Sequence, residues 1–248
     1  SGAKPFMFLD YLAFSEIEEK KILDVVRGIS EACRDLGCIL AGGETAQMPD
    51  IYNKDDLEVV GFILGIVEKS KIPKINTIKE GDILIGIPSN GLHTNGYSLV
   101  RKIFNFESNN EEMNTIVPGT NNSLGEMLTR PHRNYYNLLW EYLDKFKSIA
   151  HITGGGIGEN VSRSIPDNVK IEIDIKSWEI PKLFRYIKDR GSISLEEMFK
   201  VFNMGIGMVI IVDSKYIDIA LNTDKDSKII GKIFNRGNNE EKVNIIGI

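Results

Sequence analysis

The chain has 248 residues, a net charge of −5 at pH 7, and a composition that is 42% hydrophobic and 26% charged. These values are typical of a globular protein, and the acidic balance argues against a nucleic-acid binder held by phosphate neutralisation. Two cysteines, Cys33 and Cys38, are too few for a disulfide framework or a zinc site and favour a reducing, cytoplasmic compartment. No targeting segment is visible, and the apolar run VVGFILGIV is far too short to span a bilayer.

Strands and one helix are predicted in the first part of the chain. PFMFLDY is predicted to be a buried strand that ends at Asp10. A helix is predicted from Ser15 to Leu36, because Ser15 and Glu18 have the spacing of a capping box and Gly37 follows the last turn. The short strand CILAG is predicted to lead into a loop, GGETAQMPD, and the long strand LEVVGFILGIVE follows.

From Gly81 onwards, strands and helices alternate. The predicted strands are DILIGI, SIAHIT, VKIEIDI, GIGMVIIVD, SKIIGKIF and KVNIIGI. The predicted helices are GYSLVRKIF, Leu124–Leu128, Pro131–Lys145, two helices after VKIEIDI of which the second is capped by Ser194 and Glu197, and SKYIDIAL. Residues 105–120 are predicted to be a polar linker. We therefore expect an α/β (α+β) fold with two lobes, residues 1–80 and residues 81–248, and a mixed sheet in the second.

A glycine-rich stretch, HITGGGIGEN, follows one predicted strand. Three consecutive glycines let the backbone approach a ligand, and a helix beginning near Gly158 would offer unpaired N–H groups to an anion. The stretch matches neither the dinucleotide fingerprint nor the P-loop. An anion cradle is the favoured interpretation, and a plain strand–helix turn is the alternative.

Two carboxylates also follow predicted strands. Glu44 lies in AGGETAQMP, where it could bind a metal-bridged phosphate or could be a solvated loop residue. Asp10 ends FMFLD, where it could bind metal or substrate or could cap a turn.

One histidine lies in a polar loop just before a predicted helix, in SNGLHTNGYSLVRK. Asn95 or Thr94 can cap that helix, and the positive end of the helix dipole would keep His93 neutral. A neutral imidazole can donate to a phosphate or carbonyl oxygen or accept a proton, while a simple turn histidine is the alternative. The other two histidines, His132 and His151, also lie in or beside such loops.

Six motifs occur in a fixed order from Gly2 almost to the C-terminus: GAKPFMFLDYLA, GCILAGGETAQMPDIY, VVGFILGIVEKS, GLHTNGYSLVRKI, HITGGGIGENVSR and FNMGIGM. Together they resemble the phosphoribosylformylglycinamidine cyclo-ligases, also called aminoimidazole ribonucleotide synthetases. The resemblance implies a cytoplasmic, homodimeric ligase of purine biosynthesis that uses ATP and Mg²⁺. It would cyclise formylglycinamidine ribonucleotide to aminoimidazole ribonucleotide and release ADP and phosphate, with no nucleic-acid or membrane partner.

The same resemblance implies site residues. The catalytic candidates are His93, Asp10 and Asn95. The cofactor-binding candidates are Gly43, Glu44, Thr45, Gly154, Gly155, Gly156 and Asn160. The metal-binding candidates are Asp10 and Glu44. Residues 1–80 would be part of an ATP-binding and dimerisation domain, and residues 81–248 would carry the phosphate loop. His93 is favoured as a neutral group that positions the substrate or the transferred phosphoryl, and His132 stands where the family usually has threonine.

Members of that family carry a further N-terminal segment before GAKP, with a glycine-rich ATP-binding stretch, a lysine and aspartates. We therefore expect the sequence to be a fragment that lacks much of the nucleotide site. The alternative hypothesis is that the chain acts as a non-catalytic substrate-binding or dimerisation module. A third hypothesis, a synthetase that activates a different oxygen, is disfavoured by the substrate-side loops.

Overall fold

The computed structural model describes residues 1–106 and 110–248. The chain divides into two compact units, Ser1–Ile72 and Pro73–Ile248. Each unit has its own sheet, so the predicted two-lobed α/β class is confirmed. The division follows Ile72 rather than residue 80, and the roles in ATP binding, dimerisation and phosphate binding given to the two parts stay predictions.

The first unit contains a three-stranded sheet and one long helix. Its elements are β1 (Lys4–Phe14), α1 (Glu19–Leu36), β2 (Ile39–Gln47) and β3 (Leu57–Ile66). The strand order is β2-β1-β3, with β1 parallel to β2 and antiparallel to β3. A parallel pair needs a crossover connection, which α1 provides.

Helix α1 begins later than its sequence predicts. Its N-cap is Glu18, and no side chain caps it, so the predicted capping box at Ser15 is wrong. The reason is that β1 continues to Phe14, which still pairs with Gln47 and Leu57. The C-terminal prediction is confirmed, since Gly37 closes the helix with φ 62°. Among the described residues, no helix is long and apolar enough to cross a membrane.

The predicted loop after CILAG is mostly strand. The glycines and polar residues of GGETAQ continue β2 as far as Gln47, in register with β1. Ladder hydrogen bonds to β1 therefore override the low strand propensity of paired glycines. As a result, Glu44 and Thr45 lie within a strand.

The second unit is built on a six-stranded sheet of order β5-β7-β4-β8-β6-β9. The strands are β4 (Ile83–Pro88), β5 (Phe146–His151), β6 (Val169–Asp174), β7 (Ile206–Val212), β8 (Lys228–Asn235) and β9 (Val243–Ile246). The helices are α2 (Tyr97–Phe104), α3 (Leu124–Leu128), α4 (Tyr136–Leu139), α5 (Gly156–Ser162), α6 (Lys182–Gly191), α7 (Leu195–Val201) and α8 (Ile217–Leu221). The pair β6–β9 is parallel and the other pairs are antiparallel, so the predicted mixed sheet is confirmed.

Two predictions in this unit are corrected in part. The helix predicted from Pro131 is confined to α4 and a 3-10 turn at Trp140–Lys145, and the residues before Tyr136 are not helical. Within the predicted polar linker, Asn110–Asn114 form a 3-10 turn, and residues 107–109 lie outside the described residues.

The core of the second unit lies on both faces of its sheet. Leu84 belongs to one apolar cluster and its neighbour Ile85 to another, as the two-residue period of a strand requires. The same alternation occurs in β7, where Val209 and Ile210 belong to different clusters. Helices of this unit contribute to both clusters, so both faces of its sheet are covered by residues of the same unit.

Candidate active site

Three neighbouring strands of the second unit have a terminus at the same end of the sheet. Strand β4 ends at Pro88 and β5 at His151, while the antiparallel β7 begins at Ile206 between them. The register pairs Pro88 with Ile206 and His151 with Met208. The loops that follow β4 and β5 and the loop that precedes β7 are therefore brought together.

The three histidines meet at this edge. The ring centroids of His93 and His132 are 3.9 Å apart, and Nε2 of His132 lies 3.0 Å from Nε2 of His151. One ring nitrogen from each histidine lies within 4.8 Å of the others. His93 is buried, whereas His132 and His151 are exposed. The histidines thus form a small cluster with one buried and two accessible rings.

The loop that carries His93 is held by an asparagine just before β7. The Asn203 side-chain amide donates to the carbonyl oxygens of Gly91 at 2.9 Å and Leu92 at 3.2 Å. Its oxygen accepts from the Ser89 hydroxyl at 2.8 Å. These bonds support His93 in a left-handed conformation with φ 61°, which a non-glycine residue adopts only when its surroundings enforce it.

A glycine in β7 makes room for the His93 ring. A side chain at Gly207 would overlap the Tyr135 hydroxyl and come within 2.6 Å of Cε1 of His93. Asn203 and Gly207 lie in the motif FNMGIGM, but neither residue was assigned a role from the sequence. Membership of that motif was the one feature of the sequence that could have indicated them.

His132 is positioned by its sequence neighbours. The Arg133 guanidinium donates to the Pro88 carbonyl at 3.0 Å and pairs with Asp224. The Tyr135 hydroxyl donates to the same carbonyl at 2.9 Å, and burial raises the pKa of Tyr135. Two anchors to the end of β4 therefore hold the segment against the site.

His93 is neutral at physiological pH. Burial, and then the neighbouring His132 and His151, lower the pKa of His93 to about 3. Desolvation is the largest of these causes, and the helix α2, whose dipole was invoked from the sequence, begins at Tyr97. The pKa of His151 is lowered too, first by partial desolvation of its exposed ring and then by the neighbouring His132.

The tautomer of His93 follows from its contacts. Its Nε2 donates to Oδ1 of Asn90 at 2.9 Å, since the Asn90 side-chain NH₂ is used on the Pro131 carbonyl; the Asn90 backbone N–H makes a longer contact of 3.3 Å with the same nitrogen. Nδ1 is then left with its lone pair, and it is buried with no hydrogen-bond partner. A buried nitrogen without a partner is costly and points to a ligand or a functional role.

The glycine-rich turn after β5 is braced by Asn160. Its amide nitrogen donates to the carbonyl oxygens of Thr153, Gly154 and Gly156 at 3.3, 3.2 and 2.7 Å. Its amide oxygen accepts from the Thr153 hydroxyl at 3.0 Å. The side chain predicted to bind a cofactor is thus used within the turn, and α5 begins two residues before the predicted Gly158.

The three glycines of this turn differ in what they require. Gly155 and Gly156 have φ 91° and 69°, and a side chain at Gly156 would overlap the Phe199 carbonyl. Gly154 is exposed, and a side chain there would reach only the Asn95 amide oxygen, at 3.5 Å. The turn therefore brings Gly154 and Asn95 side by side, as two of the predicted site residues.

A cavity of about 520 Å³ adjoins the same turn. Its lining consists of Gly155, Gly158, Glu159, Glu196, Phe199, Lys200, Ile245 and Ile248. No histidine contributes to it, so it is distinct from the histidine cluster.

The remaining predicted site residues lie in the sheet of the first unit. Asp10 pairs with Gly43, and a side chain at Gly43 would meet the Asp10 carboxylate. Glu44 is the next residue along β2 and points to the opposite face, where its carboxylate accepts from the Thr45 backbone N–H at 2.9 Å. The Asp10 and Glu44 side chains therefore lie on opposite faces of the sheet of this unit.

The fold places the chain in a class of two-unit α/β proteins with solved structures. Escherichia coli HypE superimposes with a TM-score of 0.72 at 19% identity, over 100% of this chain and 72% of that one. Thiamine monophosphate kinase from Aquifex aeolicus does so with a TM-score of 0.68 at 15% identity, over 99% and 75%. At such identities the likeness defines the fold alone.

Family models identify the group within that class. The model for the N-terminal domain of AIR synthase related proteins matches residues 1–67, and the model for the C-terminal domain matches residues 79–244. The chain belongs to the AIR synthase related protein family.

Curated relatives are named phosphoribosylformylglycinamidine cyclo-ligase. The one from Caldicellulosiruptor bescii is 43% identical over 92% of this chain and 67% of its own length. The one from Caldanaerobacter subterraneus subsp. tengcongensis is 44% identical over 94% of this chain and 70% of its own length. The predicted resemblance to the cyclo-ligases is confirmed, and the chain spans roughly two thirds of their length.

Proposed function

We propose that the protein is an ATP-dependent cyclo-ligase that converts formylglycinamidine ribonucleotide to aminoimidazole ribonucleotide, with release of ADP and phosphate. One observation carries this proposal: cyclo-ligase relatives match both units at 43% identity over 92% of the chain. The reaction forms a C–N bond and belongs to purine biosynthesis, and we place it in the cytoplasm.

The chemistry defines what the site must do. A formyl-amide oxygen is a poor leaving group, so transfer of the ATP γ-phosphoryl to that oxygen makes it one. The amidine nitrogen then attacks the activated carbon, the ring closes, and the oxygen departs within inorganic phosphate. Such a reaction depends mostly on positioning and on stabilising charge during phosphoryl transfer.

We assign phosphate binding to the turn Gly154–Gly155–Gly156. Support comes from the exposed backbone at Gly154, from the adjacent Asn95 amide, and from the bracing of the turn by Asn160. In this role Asn160 acts through the turn and does not contact the phosphate. A preformed turn loses little conformational freedom when it binds an anion.

His93 is assigned to substrate positioning. A nitrogen with a pKa of about 3 is a poor general base at neutral pH, which leaves hydrogen bonding as its role. Its free Nδ1 can accept a hydrogen bond from an N–H of the amidine. Because Nδ1 is buried and the His132 ring lies against His93, that contact requires His132 to move aside.

ATP and Mg²⁺ binding are assigned to the first unit. A HypE structure has been solved with ATP, and the Aquifex aeolicus kinase fold with AMPPCP and TMP. Mg²⁺ commonly uses one or two carboxylates together with substrate phosphates and water. Either Asp10 or Glu44 alone, with the nucleotide, is therefore sufficient, and no shared site between them is needed.

We further propose that the protein works as a homodimer through the sheet of its first unit. Strand β3 exposes Phe62, Ile63 and Leu64, whose relative exposures are 62%, 57% and 50%. Three consecutive apolar side chains exposed on both faces of a strand are unusual for a surface that stays in water. A second copy of the chain would cover them.

The direct test is an assay of the protein at its natural length with formylglycinamidine ribonucleotide, ATP and Mg²⁺. We expect equimolar ADP and aminoimidazole ribonucleotide, and no product when ATP is omitted. Absence of product above a no-enzyme control would contradict the proposed function. Tight substrate binding without turnover would instead support the non-catalytic module.

A further inference from the structure

We propose that His93, His132 and His151 form a binding site for a divalent transition-metal ion of the zinc class. This site differs in place and chemistry from the Mg²⁺ that accompanies ATP. The three ring nitrogens lie within 4.8 Å of one another. Imidazole nitrogen suits zinc, cobalt, nickel and copper, whereas magnesium prefers oxygen ligands.

The nitrogens reach such an ion once the His132 ring rotates away from the His93 ring, on which it lies with centroids 3.9 Å apart. Zinc binds histidine nitrogen at about 2.0–2.1 Å, which places two ligands of a tetrahedral ion about 3.4 Å apart. Nε2 of His132 and Nε2 of His151 are 3.0 Å apart. The largest separation, 4.8 Å, closes by rotation about side-chain bonds, and His132 and His151 are exposed enough to rotate.

Two of the three rings have their other nitrogen held as metal-binding histidines require, and His151 would give up the Nε2 proton it shares with His132 when the ion binds. Nδ1 of His132 lies 2.8 Å from the Arg133 carbonyl oxygen, to which it donates. Nε2 of His93 donates to Oδ1 of Asn90 at 2.9 Å. Each bond fixes the tautomer in which the opposite nitrogen presents its lone pair, the arrangement by which outer partners orient metal ligands.

A hydrogen bond between neutral rings explains only part of this cluster. It accounts for the 3.0 Å contact between His132 and His151. It leaves Nδ1 of His93 buried without any partner. An ion shared by all three rings would satisfy that nitrogen as well, in place of the amidine N–H, so the ion and the substrate would compete for the same lone pair.

The site would be open on one side. Three protein ligands leave a fourth position of a tetrahedral ion for water or for an oxygen or nitrogen of a ligand. The exposure of His132 and His151 gives the ion a path from solvent. Among the described residues, the three histidines are the one group of three or more histidine, cysteine, aspartate or glutamate side chains that could hold a metal ion.

The test uses the full chain freed of metal with a chelator and then titrated with Co²⁺ and Zn²⁺. We expect one ion per chain, with the visible ligand-field absorption of four-coordinate Co²⁺, and competition by Zn²⁺. His132→Asn keeps a donor towards the Arg133 carbonyl but removes the ligand nitrogen, and His151→Gln removes another ligand. Each should weaken binding by about 100-fold or more, at least the upper range seen for outer-shell changes.

Arg130→Gln is the matched control, since Arg130 is exposed and lies two residues before His132. It should bind Co²⁺ as the wild type does. Nitrogen-15 NMR of wild-type histidines, with and without Zn²⁺, reads the same site without any variant and should shift resonances of all three rings. The metal-free variants are checked for folding by circular dichroism.

The proposal is overturned if the histidine variants bind as tightly as the wild type or if Zn²⁺ leaves the histidine resonances unchanged. It is also overturned if a thiolate-to-cobalt charge-transfer band shows that Cys33 and Cys38 hold the ion. Because the readout is metal binding, either result is independent of whether the cyclo-ligase assay succeeds.

Discussion

Strands β3 and β4 have similar apolar sequences but opposite surroundings. In β4, ILIGIP, the four central residues are buried, whereas in β3, LEVVGFILGI, nine of the ten residues are exposed. The cover of β4 comes from strands and helices of its own unit. An apolar strand sequence therefore predicts that a strand will be covered, but it does not tell which part of the molecule, or which molecule, covers it.

The largest expected effect comes from separating the two units. Residues 73–248 should fold as a cooperative monomer, because both apolar clusters consist of their own residues. Residues 1–72 should not form a stable monomer, because much of their apolar surface is exposed. Thermal unfolding followed by circular dichroism, with sedimentation velocity, checks both.

A well-folded, monomeric fragment of residues 1–72 would contradict this comparison. So would a fragment of residues 73–248 that unfolds without cooperativity.

A second prediction compares one residue from each strand. Leu84→Ala in β4 should lower the free energy of unfolding by about 2–5 kcal/mol, since Leu84 is fully buried. Ile63→Ala in β3 should lower it by less than about 1 kcal/mol under monomeric conditions, since Ile63 is 57% exposed. Urea titration at low protein concentration measures both, and equal losses would remove the distinction between the strands.

A third prediction concerns the glycine-rich turn. Gly156→Ala should cost about 2–3 kcal/mol of stability, because the new side chain meets the Phe199 carbonyl at a positive φ. Gly154→Ala is the matched control and should leave stability nearly unchanged. If Gly154 lies against a substrate phosphate, the same control variant should bind the ribonucleotide more weakly by calorimetry. Unchanged affinity would favour the plain strand–helix turn.

The smallest expected effect tests the proposed dimer. Phe62→Ser should weaken self-association by about tenfold, or about 1.4 kcal/mol, because it removes apolar surface from the contact. Ile229→Thr, an exposed apolar position in the second unit, is the control and should leave it unchanged. Sedimentation equilibrium gives both constants. An equal loss in the two variants would place the contact elsewhere.

Most strands and helices of the second unit could be predicted because their apolar periodicity agrees with the tertiary structure. Leu124–Leu128 matched in full, and α2 differs from its prediction by one residue at its start. The errors arose where pairing with a distant strand determines the secondary structure of a segment. Ser15 has a capping-box sequence, but Phe14 is still in the sheet, and Glu44 looks like a loop residue, but β1 holds it in a strand.

The site was predictable only in pieces. His93 and the glycines stood out because each follows a strand and lies in a polar loop. That His132 and His151 contact each other depends on the register of β4, β7 and β5, which no local pattern specifies. The supports at Asn203 and Gly207 act across the sheet, and only a known motif could have indicated them.

The fate of the formyl oxygen tests the central claim most directly. Substrate labelled with ¹⁸O in the formyl group is turned over with ATP and Mg²⁺, and the released inorganic phosphate is analysed by mass spectrometry. If the protein is a cyclo-ligase that phosphorylates this oxygen, one labelled oxygen appears in phosphate for each aminoimidazole ribonucleotide formed. Unlabelled phosphate, or product without ATP consumption, would contradict the account.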